Sequence, residues 1–489
     1  MPDDAAPAGT VSPPPPTKWA GTAVPGLWAV VGFLVCVELA SGILQGYYTP
    51  IFSDIADHLK ISDADVNWFE AAQLILSALV VPPLARLGDL IGHRKVLLIS
   101  TAVTALGSWI LAFAPSFTTF LIGWAVQGAY VVWLPLEVAI IHRRTAGTGK
   151  QALLTRRAAA LLVAGLELGV IVGALTSGML VEATSMSFLL ALPAVAVTIC
   201  FFVIWFGIEE IPGTATGGID LGGLALITAA IGLVMAGLVV IRLDGPGSLV
   251  AWGLIVAGLA TLLPFVRYES ARDEPLIDVH LLARPAQWPV QLTAFLFGVS
   301  VLGAQIPLST YVRTDPDEAG YGLGASAGFV SVLVGMYVVL LLVGALLLPV
   351  GARLLGPRRT LVVGASLVAL GYILFVPFHD SAAQMMINMA FVGVGSGTLV
   401  AALPAAAAAA APPNRTGFAT GMTNATKTMG GAIASSVFAI ALATTGSLET
   451  PEEGHAELSG YLTVWVICAG TALVAALCLL VTPRDAFSD

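Results

Sequence analysis

Five charged residues lie in long stretches otherwise free of charge: Glu38, Glu70, Glu137, Glu167 and Lys427. At the centre of an apolar helix a charge costs roughly 2.5–3.5 kcal/mol, so each needs a partner, a wet cavity or a task. A carboxyl in such a place can hold or release one proton, because low dielectric penalises its ionised form. Glu38 is followed by Ser41, Gly42 and Gln45 at i+3, i+4 and i+7, one polar face of a helix. It reads either as a proton carrier or as a structural hydrogen-bonding residue. Glu70 opens a second stripe with Gln73 and Ser77. It lies nearer a helix end, where it could load protons and bind a cation, or be a solvated mouth residue. Glu137 follows Gln127 and Tyr130 on a similar face, and His142, Arg143 and Arg144 come soon after it. An ion pair at an inner gate is the expected role of Glu137, with transport chemistry as the alternative. Lys427 is the only base inside a span, and a structural ion pair or a substrate or coupling role would each relieve its burial. The role of Glu167 stays open.

The elements that position these groups follow from composition. The chain has 489 residues, 57% hydrophobic and 10% charged, with mean hydropathy +0.91; soluble domains carry about 25% charged residues. The apolar blocks run for roughly 20 residues, the length that crosses ~30 Å of hydrocarbon. The expected fold is therefore an all-α integral membrane protein of fourteen transmembrane helices. The spans are 27–49, 65–86, 96–114, 118–141, 158–181, 187–207, 219–241, 248–267, 288–311, 326–350, 359–378, 382–403, 417–443 and 460–482. Residues 1–26, with the run Pro13–Pro16, read as a disordered tail, and 483–489 as a short second tail. No cleavable signal peptide is apparent.

An even number of spans puts both termini on one side. With that side cytoplasmic, only Lys60, Arg242, Arg313 and Lys427 of the 21 Lys and Arg fall outside cytoplasmic segments, as the positive-inside rule requires. The 142–157 stretch holds Arg143, Arg144, Lys150, Arg156 and Arg157; the 446–460 loop holds Glu449, Glu452, Glu453 and Glu457 and no base. The turn Gly92-His93-Arg94-Lys95-Val96-Leu97 after the second span recurs as Gly356-Pro357-Arg358-Arg359-Thr360-Leu361 after the tenth. That repeat implies two six-helix bundles, 27–208 and 288–482, with a two-helix insert and linkers at 209–287 between them.

These motifs resemble the major facilitator superfamily, and within it the fourteen-helix drug:proton antiporter branch. The family's turn after the second helix, Gly-x-x-x-Asp-x-x-Gly and bases, is matched by Asp89, Gly92, Arg94 and Lys95, with Ala85 for the first Gly and His93 for one base. The resemblance makes this turn a latch whose charges pair across the bundles in one state and part in another; a plain positive-inside anchor is the other reading. Gln127-Gly128 matches the family's fourth helix, where Trp124 replaces the usual arginine. The fifth helix has Gly173-Ala174-Leu175-Thr176-Ser177-Gly178 in place of a Gly-Pro pattern. Closer to the branch are Asp220 with Gly223, Phe265 with Glu269, Glu274-Pro275-Leu276-Ile277-Asp278, and Asn424, Lys427, Gly430 and Gly431. An acidic residue of the first helix is a family feature, and Glu38 lies one turn from that slot, which Ser41 occupies. Gly165, Gly169, Gly173 and Ser177, spaced by four, are expected to pack against the other bundle and slide during switching, with ordinary helix packing as the alternative.

The expected function is secondary transport of a small-molecule substrate, most simply proton-coupled export of amphipathic or aromatic compounds such as antibiotics. Protonation of Glu38 or Glu70 would alternate with substrate occupancy. Gln45, Gln73, Gln127, Tyr130 and Lys427 join these carboxyls as candidate coupling and substrate residues. Asp89, Gly92, Arg94, Lys95, Glu137, Gly165, Gly169 and Gly173 are the candidate gating residues. Trp124, Tyr130 and Trp133, with Tyr47, Tyr48 and Trp68, could stack on a flat or cationic ligand or be interfacial aromatics. An uptake permease, or a dedicated metabolite or lipid transporter, shares the same features. A non-transporting receptor or scaffold would need an extramembrane domain, for which the loops are too short. No phosphate-binding loop or other cofactor motif appears, which leaves the proton gradient as energy source, and an enzyme is disfavoured. Net charge −9 argues against nucleic acid. Cys36, Cys200, Cys468 and Cys478 read as packing residues in apolar blocks, and no metal site is expected. The protein is expected in the plasma membrane lipid bilayer, as a monomer.

Overall fold

The computed structural model describes residues 27–145, 150–210, 212–213, 218–272, 275–412, 416–443 and 456–481. The two tails, Glu274, Glu449, Glu452 and Glu453 lie outside the described residues. Among the described residues thirteen helices are long and apolar enough to cross a membrane, and a fourteenth spanning segment is broken. In chain order α1 is Leu27–Val31 and Leu34–Tyr47, α2 Asn67–Ile91, α3 His93–Ala112 and α4 Phe117–Arg144. Then come α5 Gln151–Leu180, α6 Met186–Gly207, α7 Leu221–Asp244, α8 Leu249–Ser270 and α9 Trp288–Arg313. The last are α10 Ala327–Leu355, α11 Pro357–Phe375, α12 Ala382–Ala409, α13 Thr416–Leu442 and α14 Leu458–Val481. Among the described residues there is no strand. Phe206, Leu249 and Leu354 are at least three-quarters exposed, a surface that only lipid can cover.

The helix ends define two faces. One carries Arg94, Lys95, Arg143, Arg144, Arg353, Arg358 and Arg359 and is called the basic face here; the opposite, acidic face carries Asp54, Asp57, Asp65, Asp244, Asp317 and Glu318. On the acidic face the α1–α2 connection holds a short helix, Phe52–Leu59, that hydropathy reading passed over.

Duplication is visible in the packing. In the first set, α1 packs on α5, α2 on α4, and α3 on α4 and α6; eight helices later, α9 packs on α13, α10 on α12, and α11 on α12 and α14. The contacts between sets are paired as well, α2 with α13 and α10 with α5. The two repeated turns also agree. Gly92 and Gly356 end α2 and α10 at φ 107° and 86°, a backbone that only glycine adopts without strain. α7 and α8 form the extra pair. At the basic face Asp220 caps α7 through the Gly223 N–H (3.0 Å) and accepts from the Tyr268 hydroxyl of α8 (3.1 Å). Glu269 accepts from the Ile277 N–H (3.0 Å), so the branch-like residues act here as caps and ties.

Two irregularities matter for the site. α1 breaks at Gly32, where φ is 54°, and the carbonyls of Val30 and Val31 accept from Arg144 Nη1 at 2.9 and 3.5 Å. α4 tightens into a 3-10 turn over Gly128–Val132, and the Ser77 hydroxyl of α2 donates to the Gly128 carbonyl (2.9 Å). A helix leaves carbonyls unpaired at each such defect, and a side-chain donor must satisfy them.

Candidate functional site

Glu38 of α1 and Glu137 of α4 are both fully buried. Their carboxyl groups lie within hydrogen-bonding reach of one another, and no donor from any other group meets either pair of oxygens. No hydrogen-bonded ion pair forms at Glu137 among the described residues. Arg144 lies within electrostatic range of Glu137, but its guanidinium donates to the α1 carbonyls freed at Gly32. Two buried carboxylates side by side, with no cation hydrogen-bonded to either, resist double ionisation, so such a pair retains a proton.

Tyr130 lies beside this pair, within electrostatic range of Glu38, Glu70 and Tyr48. Its backbone sits in the 3-10 turn of α4, which re-aims the ring. Glu70 is half-buried. The order Glu70, Tyr130, Glu38, Glu137 thus lines up protonatable groups from near the acidic face toward the basic face.

Gln127 anchors the neighbouring network. Its amide donates to Tyr48 Oη and Ser108 Oγ, both at 2.9 Å, and accepts from Gln73 Nε2 at 3.3 Å. Gln73 Nε2 also lies 3.3 Å from the Trp124 carbonyl. Trp124 itself is 2% exposed and packs against Tyr48, Phe52, Phe69 and Phe120. Where the family usually has an arginine, this chain has a closed neutral cluster. Tyr47, Tyr48, Trp68 and Trp133 are likewise buried, with the Tyr47 hydroxyl on the Leu189 carbonyl (2.8 Å) and the Trp133 indole N–H on Ser100 (3.1 Å). These aromatics pack the core and present no free ring face to a ligand. Gln45 is exposed and donates to Ser41 Oγ at 3.3 Å.

Lys427 of α13 has its counter-charge in the other bundle. Glu167 of α5 is its electrostatic partner, and Tyr337 of α10 lies beside Glu167. Both charges are half-buried, as groups lining a space between bundles would be. Sequence reading had left Glu167 open, because its partner is far away in the chain.

The small-residue face of α5 does not meet the other bundle. A Cβ on Gly169 would stand 2.3 Å from the Leu39 carbonyl, and one on Gly165 or Gly173 would press on Val35 or Ile43. All three pack on α1, which answers with Gly42 and Gly46 against the α5 backbone. Matched glycines on both helices bring the backbones together, so this seam belongs within the first bundle. Gly178, one position beyond Ser177, is the one against α10, near Ala327 and Ser331.

The turn at Gly92 keeps its charges within the first bundle in this state. Asp89 lies 3.3 Å from His93 and 3.8 Å from Arg143. Arg94 pairs with Glu210 at 3.2 Å and donates to the Trp205 carbonyl at 2.6 Å, and Lys95 is 4.0 Å from Glu210. On the acidic face, by contrast, the bundles are joined. Arg313 of α9 meets Asp54 of the Phe52–Leu59 helix at 2.8 Å, Ser309 donates to the Thr49 carbonyl at 2.6 Å, and Ser331 donates to the Ala174 carbonyl at 2.7 Å. The structure is closed on its acidic face.

Known proteins are similar to this chain in sequence and in fold. The Major Facilitator Superfamily profile matches residues 34–314 and 290–488. A cephamycin export protein of Amycolatopsis lactamdurans is 28% identical over 400 residues, covering 80% of this chain and 79% of that one. A probable actinorhodin transporter of Streptomyces coelicolor is 25% identical over 92% of this chain and 76% of its own length. A uridine/deoxyuridine transporter of Lactococcus lactis is 26% identical, over 54% of each chain. Among solved structures, the nucleoside transporter NupG superposes with a TM-score of 0.63 at 15% identity, covering 93% of this chain and 99% of that one. The POT family transporter PepTSo gives 0.66 at 13% identity, covering 94% and 99%. Fourteen membrane segments in two repeated sets, matched along nearly their whole length by this profile, place the chain in the Major Facilitator Superfamily as a secondary transporter.

Proposed function

We propose that this protein is a proton-coupled exporter of small amphipathic or aromatic organic compounds, of the fourteen-helix drug:proton antiporter type. The observation that carries the reading is the buried pair Glu38–Glu137, two carboxyls close enough to interact, which among the described residues meet no donor from any other group. The basic face is cytoplasmic by the positive-inside rule, with both termini on that side of the plasma membrane, and the protein works as a monomer.

Alternating access follows from rocking of the two bundles. With the acidic face closed, a proton held by the pair leaves toward the cytoplasm. The pair, which keeps its other proton, is then left with a single negative charge in low dielectric, a state that a cationic or polarisable substrate nearby offsets. Once the acidic face opens, a proton arriving by way of Glu70 and Tyr130 neutralises the pair again and releases the substrate outward. Glu70, Glu167 and Lys427 are the half-buried charges on the substrate's path, and export relatives such as the cephamycin protein support the direction. Uptake is the second reading, favoured by the likeness to a uridine/deoxyuridine transporter.

The test uses everted vesicles with an imposed pH gradient and a panel of labelled antibiotics and nucleosides. Export predicts accumulation that collapses with the gradient and falls at least tenfold in Glu38→Gln and Glu137→Gln. Accumulation only in right-side-out vesicles would establish uptake instead. Gradient-driven transport unchanged in both variants would remove the carboxyl pair from the coupling scheme.

A further inference from the structure

The inserted pair α7–α8 has no counterpart in the repeat, yet the acidic end of α7 sits where the two bundles meet. Leu238 and Ile241 of α7 and Ala251 of α8 share one buried cluster with Trp68 of α2 and Ala439 of α13. Ser436 of α13 points its hydroxyl at Met235 of α7 (3.9 Å). α7 therefore touches both bundles at the face that is shut. At its last turn Arg242 is 6% exposed and Asp65, in the connection leading into α2, 3%. The guanidinium engages both oxygens of that carboxylate, Nε to Oδ1 at 3.2 Å and Nη2 to Oδ2 at 3.3 Å, and Ser62 donates to Oδ2 at 2.8 Å.

Arg242 is one of the few bases that the positive-inside pattern leaves on the acidic side, at a place where charge asymmetry disfavours it. A forked, buried pair fixes geometry, and removing one partner leaves the other charge buried without its match. Opening this face must carry the start of α2 away from α13. α7 bridges the two, so either the pair or the α7–α13 contact has to yield at every turnover.

We propose that Arg242 is a positioning residue of the transport cycle, which makes the inserted helix pair a working part of the gate on the acidic face. It holds Asp65 of the first bundle beside α13 of the second while the face is closed, in parallel with the direct Arg313–Asp54 bridge. The insert is then a strap across the gate.

The experiment reads gate opening without substrate or proton gradient, so its failure is separable from failure of the export reading. Thr49 is 7% exposed beneath Ser309. As Thr49→Cys, in a background with the four native cysteines replaced, it is labelled by a polar maleimide in lipid nanodiscs, where both faces are reachable. Arg242→Gln and Asp65→Asn should each speed labelling by about tenfold, within the usual range for coupled sites. The exchanged pair Asp65→Arg with Arg242→Asp should bring the rate back toward the background value. Arg267→Gln, a base at the far end of α8, should leave it unchanged. If Arg242→Gln does not yield a monodisperse protein, Asp65→Asn and the exchanged pair carry the same comparison. Labelling that is unchanged in Asp65→Asn, or raised but not restored by the exchange, overturns the proposal.

Discussion

Gln127 shows how one neutral side chain can tie together a buried polar network. Its amide meets Tyr48, Ser108 and Gln73 at once, all buried, so its loss strands the Tyr48 hydroxyl and takes one partner each from Ser108 and Gln73, which keep the Thr104 and Trp124 carbonyls. Each stranded buried polar group costs about 1–3 kcal/mol. Gln127→Ala should therefore lower the apparent melting temperature of the purified protein clearly, as read by dye-based thermal unfolding. Ser116→Ala, at the exposed cap of α4, should move it far less. An equal effect of the two would mean that the network is not satisfied in the way the distances indicate. The residue types of this cluster were legible in the chain, since the stripes of Glu70, Gln73 and Ser77 and of Gln127 and Tyr130 fall on helical faces. At Glu137 the expected partner is in electrostatic range but engaged elsewhere. Three bases follow it closely, but the break at Gly32 creates carbonyls that capture Arg144, and no residue spacing records such a competitor.

At the scale of elements, the α1–α5 seam is the tightest place in the first bundle. Gly42 and Gly169 leave less room than a methyl group between the backbones, with a Cβ at 1.9 and 2.3 Å from a carbonyl oxygen. Since backbone cannot give way as a side chain can, Gly169→Val should force the helices apart and abolish folding to a monodisperse species on fluorescence-detected size exclusion. Gly232→Val on α7, where nothing lies within 4 Å of a Cβ, should fold as the parent does. The spacing of four in α5 did signal close backbone approach. It does not say which helix approaches, because Gly42 of α1 also falls on the polar face of Glu38 and no signal in the sequence marks Gly42 and Gly46 as the answer to α5. The spans themselves were legible nearly to their ends, since a hydrocarbon-length apolar block has few other uses. What hydropathy missed is what it averages away: the broken start of α1, the 3-10 turn of α4 and the Phe52–Leu59 helix, whose polar residues hide its buried Phe52, Ile55 and Ala56.

For the whole molecule the closed acidic face carries a testable linkage to pH. Asp54 faces Arg313, with Asp57 and Glu182 also in range. Burial lifts its carboxyl above the ordinary value even against the arginine beside it. When the face opens, Asp54 returns to water and to an ordinary value near 3.9. The state in which a carboxyl has the higher pKa binds protons more tightly, so this group favours the closed face in acid. Its contribution is complete below the ordinary value and is lost as pH rises through the raised one. Fluorophores on His58→Cys and Asp317→Cys, both exposed and on opposite bundles, would report the distance across the gate in nanodiscs. The open fraction should fall as pH is lowered from neutral toward about 4, and the slope should flatten in Asp54→Asn. An open fraction that rises with acid in the parent, and is indifferent to that substitution, would mean that this carboxyl does not set the balance. Such a gate and the internal pair Glu38–Glu137 respond to protons at separate places, one at the surface and one in the core. Transport measured against pH should accordingly show two separable dependences, of which only the one set by the internal pair disappears in Glu38→Gln.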